Sequence, residues 1–195
     1  MTITRKVIDQ GAMLKFAGLD AAGVCLEACR RWVKAAINGR LIPGDTVYDI
    51  MDQGGLSELL RSHQGRNNLS EKGIEGLDVD VTRRTGGGVT KFKGLRTRED
   101  IINFVMATPG VYIYNATSKN GGGHAFAFNT VNPKLRLFFD PNLGEWEFED
   151  ESDAAMRTWW NDFWAGTPAF FNGKQSYKDA FHKGSRELWR YNVAT

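Results

Sequence analysis

A chain of 195 residues, 42% of them hydrophobic and 12% aromatic, is long enough to bury one core without disulfide bridges or a structural metal. Its 25 basic and 23 acidic residues leave a formal net charge of +2, which argues against a strong attraction to nucleic acid or anionic membranes. We therefore expect one domain over residues 1–195 and a monomer, with no nucleic-acid partner and no indication of a membrane surface as partner.

The N-terminal residues 1–15 contain Arg5 and Lys6 but no long apolar stretch after them, and no run of eighteen uncharged apolar residues occurs in the sequence. The sequence therefore predicts neither a cleavable signal peptide nor a membrane span. The two cysteines, Cys25 and Cys29, are four residues apart on a predicted helix, which does not suit a disulfide bridge. We expect free thiols and a reducing compartment.

Apolar residues recur with the helical period in four segments of the chain. The first pattern begins after Gly23 and ends at Asn38-Gly39, which is a typical helix stop. Residues 1–22 are mixed and predict no element. The last helix carries tryptophans that we expect to pack in the core, namely Trp159, Trp160 and Trp164. The predicted helices span residues 24–37, 47–60 with an interruption at Gly54-Gly55, 99–108 and 154–163.

Residues 65–94 are polar and rich in glycine, and we interpret them as a long excursion from the domain. Short apolar runs separated by glycine, Asn-Pro and Pro-Asn follow, which is typical of an antiparallel meander. Because helices precede the sheet, the sequence predicts an α+β fold. The predicted strands span residues 111–114, 124–128, 135–139, 146–148 and 187–193.

Cys25 stands in the first turn of the first predicted helix. Unpaired N–H groups and the positive end of the helix dipole lower the pKa of a thiol there, so Cys25 is the candidate nucleophile. Gly23 would let a substrate backbone approach it. Cys29 lies one turn further along, where the dipole effect has faded. Because Cys25 shares an apolar face with Cys29 and Trp32, an ordinary core cysteine is the competing interpretation.

A candidate base and its partner come from the predicted sheet. His124 follows three glycines and begins a strand, so the sheet would hold its backbone while the glycines leave space in front of its ring. Asp140 ends the next strand, and pairing of the two strands would bring its carboxylate to His124 and set the histidine tautomer. Taken alone, a hairpin end and an Asp-Pro turn explain these two residues as well. The other histidines, His63 and His182, lack comparable surroundings.

A helix-borne cysteine, a strand-borne histidine and an aspartate after the next strand follow the order of papain-like enzymes. Residues 23–32, 123–125 and 139–148 resemble the YopT and AvrPphB group of bacterial effector cysteine peptidases, and the third segment, Phe-Asp-Pro-Asn-Leu-Gly-Glu-Trp-Glu-Phe, is the most specific. The resemblance covers residues 22–148. It implies a papain-like fold, with a helical part that carries the cysteine packed on an antiparallel sheet that carries the histidine and the aspartate.

The resemblance also implies a function. Such an enzyme is a thiol peptidase that cleaves a specific protein with a Cys-His-Asp triad, here Cys25, His124 and Asp140. It is made in the bacterial cytoplasm and delivered by a specialised secretion system into a target cell, as an effector or toxin. The identity of the protein substrate does not carry over from the resemblance, because substrate choice lies in surface loops outside these segments.

One position departs from the papain-like pattern. Those enzymes place a side-chain amide five or six residues before the nucleophile, where it donates to the oxyanion, and here these positions hold Asp20 and Leu19. An ionised Asp20 would repel the developing charge. The sequence leaves three answers open: a protonated Asp20, another donor such as Gln10 beside the backbone N–H of Cys25, or a slow or different reaction.

Other functions stay open on the sequence alone. The same triad can transfer an acyl group to water or to an amine, so glutamine deamidation, transglutamination and cleavage of peptidoglycan amides are alternatives. A non-catalytic module that binds through the basic segment 83–98 is another, although a solvated loop explains that segment too. A zinc site from Cys25, Cys29 and His124 lacks a fourth ligand, so we expect neither a metal nor a cofactor.

Overall fold

Helices pack on both faces of one antiparallel sheet in the part of the chain that the computed structural model describes. The described residues are 2–7, 24–43, 45–67, 88–93, 97–117, 123–150, 153–165 and 186–191. In chain order the elements are β1 (Thr2–Val7), α1 (Cys25–Ile37), α2 (Asp45–Met51), α3 (Gln53–Asn67), β2 (Val89–Lys93), α4 (Arg98–Ala107), β3 (Val111–Thr117), β4 (Gly123–Asn132), β5 (Leu135–Asp140), β6 (Gly144–Glu149), α5 (Asp153–Ala165) and β7 (Arg186–Tyr191).

Seven strands within the described ranges form the sheet, in the order β1-β6-β5-β4-β3-β7-β2, and all neighbouring strands are antiparallel. Strands β3 to β6 follow one another directly, which confirms the predicted meander and the predicted α+β class. The sequence analysis predicts neither β1 nor β2, which stand at the two ends of this order. β1 is rich in β-branched residues but alternates imperfectly, so its signal is weak.

Strand β2 lies inside the segment 65–94 that the sequence analysis interprets as an excursion. Residues 65–67 of that segment end helix α3, and residues 89–93 pair with β7. Residues 68–87 lie outside the described part of the chain. The side chain of Lys91 in β2 lies over the ring of Trp189, 4.7 Å from its centroid, so at least one basic residue of the segment 83–98 packs against the sheet.

The helical pattern over residues 47–60 breaks at Asp52, and the predicted break at Gly54-Gly55 is wrong. The Asp52 carboxylate accepts a hydrogen bond from the Gly55 N–H at 2.6 Å and so caps the start of α3. Gly55 is required inside the helix for another reason, since a Cβ there would lie 2.3 Å from the Ile50 carbonyl oxygen. The glycines thus permit close packing of α3 on α2 instead of ending the helix.

Strand β4 explains why the two faces of the sheet differ. Its alternating sequence places Ala125 and Ala127 in the core beneath α1, and Phe126 and Phe128 in the core on the opposite face. Small side chains beneath α1 let that helix approach the sheet closely. The start of α1 can therefore come near the start of β4, which is where His124 lies.

Aromatic rings fill the core on the opposite face, between the sheet and helices α4 and α5. Trp159, Trp160 and Trp164 of α5 are all buried there, which confirms their predicted packing role. Helix α4 begins with a capping box, in which Thr97 and Asp100 exchange side-chain to backbone hydrogen bonds of 3.0 and 2.8 Å. Among the described residues, no helix is both long enough and apolar enough to cross a membrane.

Candidate active site

Cys25 is the first residue of α1, next to strand β4. The preceding Val24 has no side chain that can cap the helix, so the first-turn N–H groups stay available. The backbone groups of Leu26 and Ala125 form hydrogen bonds with the Cys25 sulfur. The sulfur also lies 4.0 Å from the carbonyl oxygen of Gly123, and the residue is 6% exposed. The helix start and the strand start therefore hold this thiol between them.

His124 and Asp140 meet because β4 and β5 are antiparallel, so that the start of one strand lies beside the end of the other. His124 Nε2 lies 3.0 Å from Asp140 Oδ1, and the same oxygen accepts the backbone N–H of Asn142 at 2.7 Å. A carboxylate only accepts hydrogen bonds, so Nε2 carries the hydrogen in this pair. The other ring nitrogen, Nδ1, is then the one that can exchange a proton with a thiol.

The pKa values of Cys25 and His124 move in opposite directions. Burial by itself would raise the pKa of Cys25, but the hydrogen bond and charge of His124 and the backbone hydrogen bonds lower it below the usual 9.0. Burial would lower the pKa of His124, yet the charge and hydrogen bond of Asp140, helped by Cys25, raise it from 6.5 to about 10. Both shifts favour a thiolate beside an imidazolium over a neutral thiol beside a neutral imidazole.

Cys29 differs from Cys25 although both are free thiols. Burial raises the pKa of Cys29 well above 9.0, and the negative charges of Cys25 and Asp140 raise it further. The side chain of Cys29 is fully buried in the core beneath α1. Of the two cysteines, only Cys25 has the electrostatic surroundings of a nucleophile.

Buried contacts of Trp32 fix α1 relative to β5 and β6, and a contact within β4 holds the His124 ring. Trp32 of α1 stacks on Phe139, the residue before Asp140, with ring centroids 5.9 Å apart. Its indole N–H donates a hydrogen bond of 2.5 Å to Glu145, which pairs with Phe139 across β5 and β6. On the other side, the ring of Phe126 meets the His124 ring edge-on at 4.8 Å. The positions of the cysteine, the histidine and the aspartate are thus linked through buried contacts.

Sequence reasoning missed Glu145 and Asn142 as members of this site. Glu145 is fully buried, but strand β6 alternates glutamate with aromatic residues, so nothing in the sequence distinguished Glu145 from Glu147 and Glu149. The side-chain amide Nδ2 of Asn142 lies 3.5 Å from His124 Nδ1. An asparagine after Asp-Pro is ordinary turn chemistry, so nothing in the sequence distinguished it.

The placement of the remaining sequence-predicted side chains is not described by the structure. Asp20, Gln10 and His182 lie outside the described residues, and for His63 in α3 only the backbone is described. Among the described ranges, no group of three or more His, Cys, Asp or Glu side chains is arranged to hold a metal ion. The zinc alternative from Cys25, Cys29 and His124 therefore has no support in the geometry.

Residues 64–175 match a peptidase family described as Yersinia/Haemophilus virulence surface antigen. The chain belongs to this family. The matched residues include His124 and Asp140, whereas Cys25 lies before them. The family assignment confirms the resemblance drawn from residues 23–32, 123–125 and 139–148.

Similar proteins agree with this assignment. The chain is 29% identical over 179 residues to the cysteine protease YopT of Yersinia pestis, which covers 75% of this chain and 52% of YopT. It is 30% identical over 176 residues to the cysteine protease YopT of Yersinia pseudotuberculosis, with 74% and 51% covered. The chain thus spans about half the length of the curated relatives it matches.

A solved structure extends the comparison to the fold. The crystal structure of the Pseudomonas avirulence protein AvrPphB superimposes with a TM-score of 0.50, over 88% of this chain and 92% of that chain. The two sequences are 14% identical there, so the likeness concerns the fold alone. It confirms the predicted papain-like arrangement of a helix-borne cysteine packed on an antiparallel sheet.

Proposed function

We propose that this chain is a cysteine peptidase in which Cys25 is the nucleophile, His124 the general base and Asp140 the residue that orients the histidine. The observation that carries the proposal is the 3.0 Å hydrogen bond between Asp140 Oδ1 and His124 Nε2, on a histidine that is also hydrogen-bonded to Cys25. The direction of the two pKa shifts supports it, because both favour the reactive ion pair. The names of the YopT relatives support the peptidase chemistry.

The proposed reaction follows from the placement of each group. The Cys25 thiolate attacks the carbonyl carbon of the scissile peptide bond, and the imidazolium of His124 gives its Nδ1 proton to the departing amine. His124 then takes a proton from water, which attacks the thioester and releases the acid. Asp140 keeps the ring in one tautomer and stabilises its positive charge throughout.

The oxyanion that forms during the attack needs hydrogen-bond donors. The backbone N–H of Cys25 is our first candidate, since it belongs to the uncapped first turn of α1. A second donor is needed in the usual papain-like arrangement. We propose that a protonated Asp20 or the amide of Gln10 supplies it. Replacement of each by Ala, assayed with the same substrate, distinguishes these two residues.

We further propose that the substrate is a specific protein and that the chain acts as a monomer, as an effector or toxin delivered into a target cell. The relatives are named as cysteine proteases, and the structural neighbour is named as an avirulence protein. The chain carries its whole proposed triad on its own residues, which supports action without a second subunit or a cofactor.

Alkylation with iodoacetamide tests the reactive ion pair without knowledge of the substrate. We expect Cys25 to be labelled at about pH 6, where an ordinary thiol is almost entirely protonated, and Cys29 to stay unlabelled. The labelling rate should fall only when the pH drops through the lowered pKa of Cys25. It should not fall above pH 10, where His124 loses its proton, although peptide cleavage should. Equal labelling of both cysteines contradicts the proposal.

A second experiment separates peptide hydrolysis from the chemically adjacent reactions. Denatured eukaryotic cell extract is incubated with the protein or with the Cys25→Ala variant, and new peptide amino termini are identified by mass spectrometry. Termini that depend on Cys25 support a peptidase. Ammonia release without new termini would indicate deamidation, and new cross-links would indicate transglutamination.

A further inference from the structure

Asn142 lies beside the ring of His124 and is a neighbour of the candidate triad. Its backbone N–H is held by Asp140 Oδ1 at 2.7 Å, and its side-chain amide Nδ2 lies 3.5 Å from His124 Nδ1. The residue is partly exposed, whereas His124 and Asp140 are buried. Asn142 lies in the turn between β5 and β6, two residues after Asp140. Strand pairing and the Asp-Pro-Asn turn thus hold this amide beside the nitrogen that would carry the mobile proton.

We propose that Asn142 binds the substrate on the leaving-group side of the scissile bond, through a hydrogen bond from its amide to the carbonyl oxygen of the first residue after that bond. This inference rests on the proposed peptidase function. During the reaction, Asn142 would hold the departing amine in place while His124 protonates it. It would thereby contribute to specificity on that side of the cleavage site.

The distance from the Asn142 amide to the departing nitrogen allows this contact. A proton donor lies about 3 Å from its acceptor and Asn142 Nδ2 lies 3.5 Å from His124 Nδ1, so the amide is at most about 6–7 Å from the departing nitrogen. One residue of an extended chain spans about 3.3–3.6 Å. The carbonyl oxygen of the first residue beyond the bond therefore lies within reach of a hydrogen bond from this amide.

The protonation state of His124 decides what the Asn142 amide can bind. When His124 is neutral, Nδ1 has a lone pair that can accept a hydrogen bond from Asn142. In the thiolate–imidazolium pair from which the reaction starts, Nδ1 carries the proton and has no lone pair left in the ring plane, so the Asn142 N–H can donate to the substrate instead. As the C–S bond forms and the C–N bond breaks, the C–N electron pair goes to the departing nitrogen, which takes the proton from Nδ1.

The reverse of this step allows a test without the natural substrate. p-Nitrophenyl acetate acetylates a reactive thiolate and releases p-nitrophenolate, and the acetyl-enzyme then partitions between water and an added amine. An amine that enters occupies the leaving-group side, by microscopic reversibility. Glycinamide offers a carbonyl in the position that the proposal requires, and propylamine offers none. The products, acetate and the two N-acetyl amides, are quantified by mass spectrometry at about pH 8, near the pKa of an α-amino group.

We expect Asn142→Ala to lower the ratio of acetylglycinamide to acetate by roughly threefold to tenfold, the usual effect of one lost hydrogen bond, and to leave the propylamine ratio unchanged. Asn142→Asp, which keeps the shape but loses the donor, should lower the same ratio. Asn132→Ala is the matched control, because Asn132 is another asparagine beside a turn, whose side chain accepts the Lys134 N–H at the far end of β4, away from His124. It should keep the parent ratio.

Three results would overturn the inference: an unchanged glycinamide ratio in Asn142→Ala, an equal loss for glycinamide and propylamine, or no acetylglycinamide from the parent protein. The second would mean that Asn142 acts on His124 alone, which a shifted pH profile of iodoacetamide labelling would show as well. Failure of the proposed peptidase function looks different, because the treated cell extract would then contain no new peptide termini that depend on Cys25, whatever the amine ratios of Asn142→Ala.

Discussion

The two faces of the sheet carry different types of side chain. Beneath α1 the sheet presents small side chains such as Ala125 and Ala127, and buried charged residues lie among them: Glu145 bonded to Trp32, and the ion pair of Glu27 with Arg30 at 3.1 Å. The opposite face is filled with aromatic rings from the sheet and from α5. The candidate site lies where both meet, with a cysteine from the α1 side and a histidine that contacts the aromatic Phe126.

This difference suggests a division of tasks. Each aromatic side chain buries a large apolar area, so the aromatic face contributes mainly to stability, and most of its rings lie away from the candidate triad. Buried charges stabilise little in net terms, but they require good geometry, because an unsatisfied charge is costly. We therefore expect changes beneath α1 to alter activity along with stability, and changes on the aromatic face to alter stability alone.

Asp140→Asn should give the largest effect on activity. The carboxylate accepts the hydrogen of His124 Nε2 and its charge raises the His124 pKa to about 10; asparagine keeps an oxygen that can accept but loses the charge, and its NH2 group can face the ring instead. We expect kcat/KM to fall by roughly a thousandfold or more, as for other triads that lose their acid. Iodoacetamide labelling of Cys25 at about pH 6 should slow as well, because a less basic imidazole favours the thiolate less.

The control for that variant is Asp150→Asn. Asp150 is exposed and has a positive φ of 52°, which asparagine also adopts readily. Its replacement should leave kcat/KM and the labelling profile of Cys25 unchanged. If Asp140→Asn behaves like this control, Asp140 does not orient the histidine.

Phe138→Ala should give the largest effect on stability. Its fully buried ring contacts a set of aromatic neighbours, and their loss leaves a cavity. We expect the free energy of unfolding to drop by about 3–5 kcal/mol in urea titrations. Cys25 in the remaining folded protein should still be labelled at the parent rate. A strongly slowed rate would contradict the expectation that changes on the aromatic face alter stability alone. The neighbours are Phe126, Phe128, Trp146, Trp159, Trp160 and Phe163.

Trp32→Phe tests the buried charge beneath α1. The variant keeps a ring near Phe139 but removes the indole N–H that Glu145 accepts. A hydrogen bond to a charged group contributes about 1.5–3 kcal/mol, and we expect a loss of unfolding free energy in that range together with slower labelling of Cys25. In a double-mutant cycle, adding Glu145→Gln should restore part of the stability, since the charge is gone. Full additivity would argue that the two side chains are not coupled.

Thr97→Ala should give the smallest effect, on the aromatic side of the sheet. It removes the hydroxyl of the capping box that accepts the Asp100 N–H at 3.0 Å. We expect α4 to lose about 1 kcal/mol, measured as the free energy of unfolding, with no change in the labelling of Cys25. Thr97→Ser keeps the acceptor and should restore the parent stability. A changed labelling rate of Cys25 in Thr97→Ala would contradict the expectation that changes on the aromatic side alter stability alone.

Local patterns in the sequence predicted most elements, because the spacing of apolar residues within a short segment distinguishes a helix from a strand. The helix that begins at Cys25, the helix of tryptophans and the four strands of the meander all follow from such patterns. The positions of Cys25, His124 and Asp140 at the ends of their elements followed too, since each stands where a pattern starts or stops. Their catalytic roles stay a proposal.

The sequence by itself determined which residues are apolar, where most elements begin and which three residues stand at their ends. Only the tertiary structure decided the rest: that β1 and β2 join the sheet, that α2 ends at Met51 with Asp52 capping α3, and that Glu145 and Asn142 stand beside the site. Each of these depends on a partner distant in the chain or on the direction of one side chain. A strand with a weak period is stabilised by its neighbour, and a buried carboxylate by its donor, so neither is visible until the chain has folded.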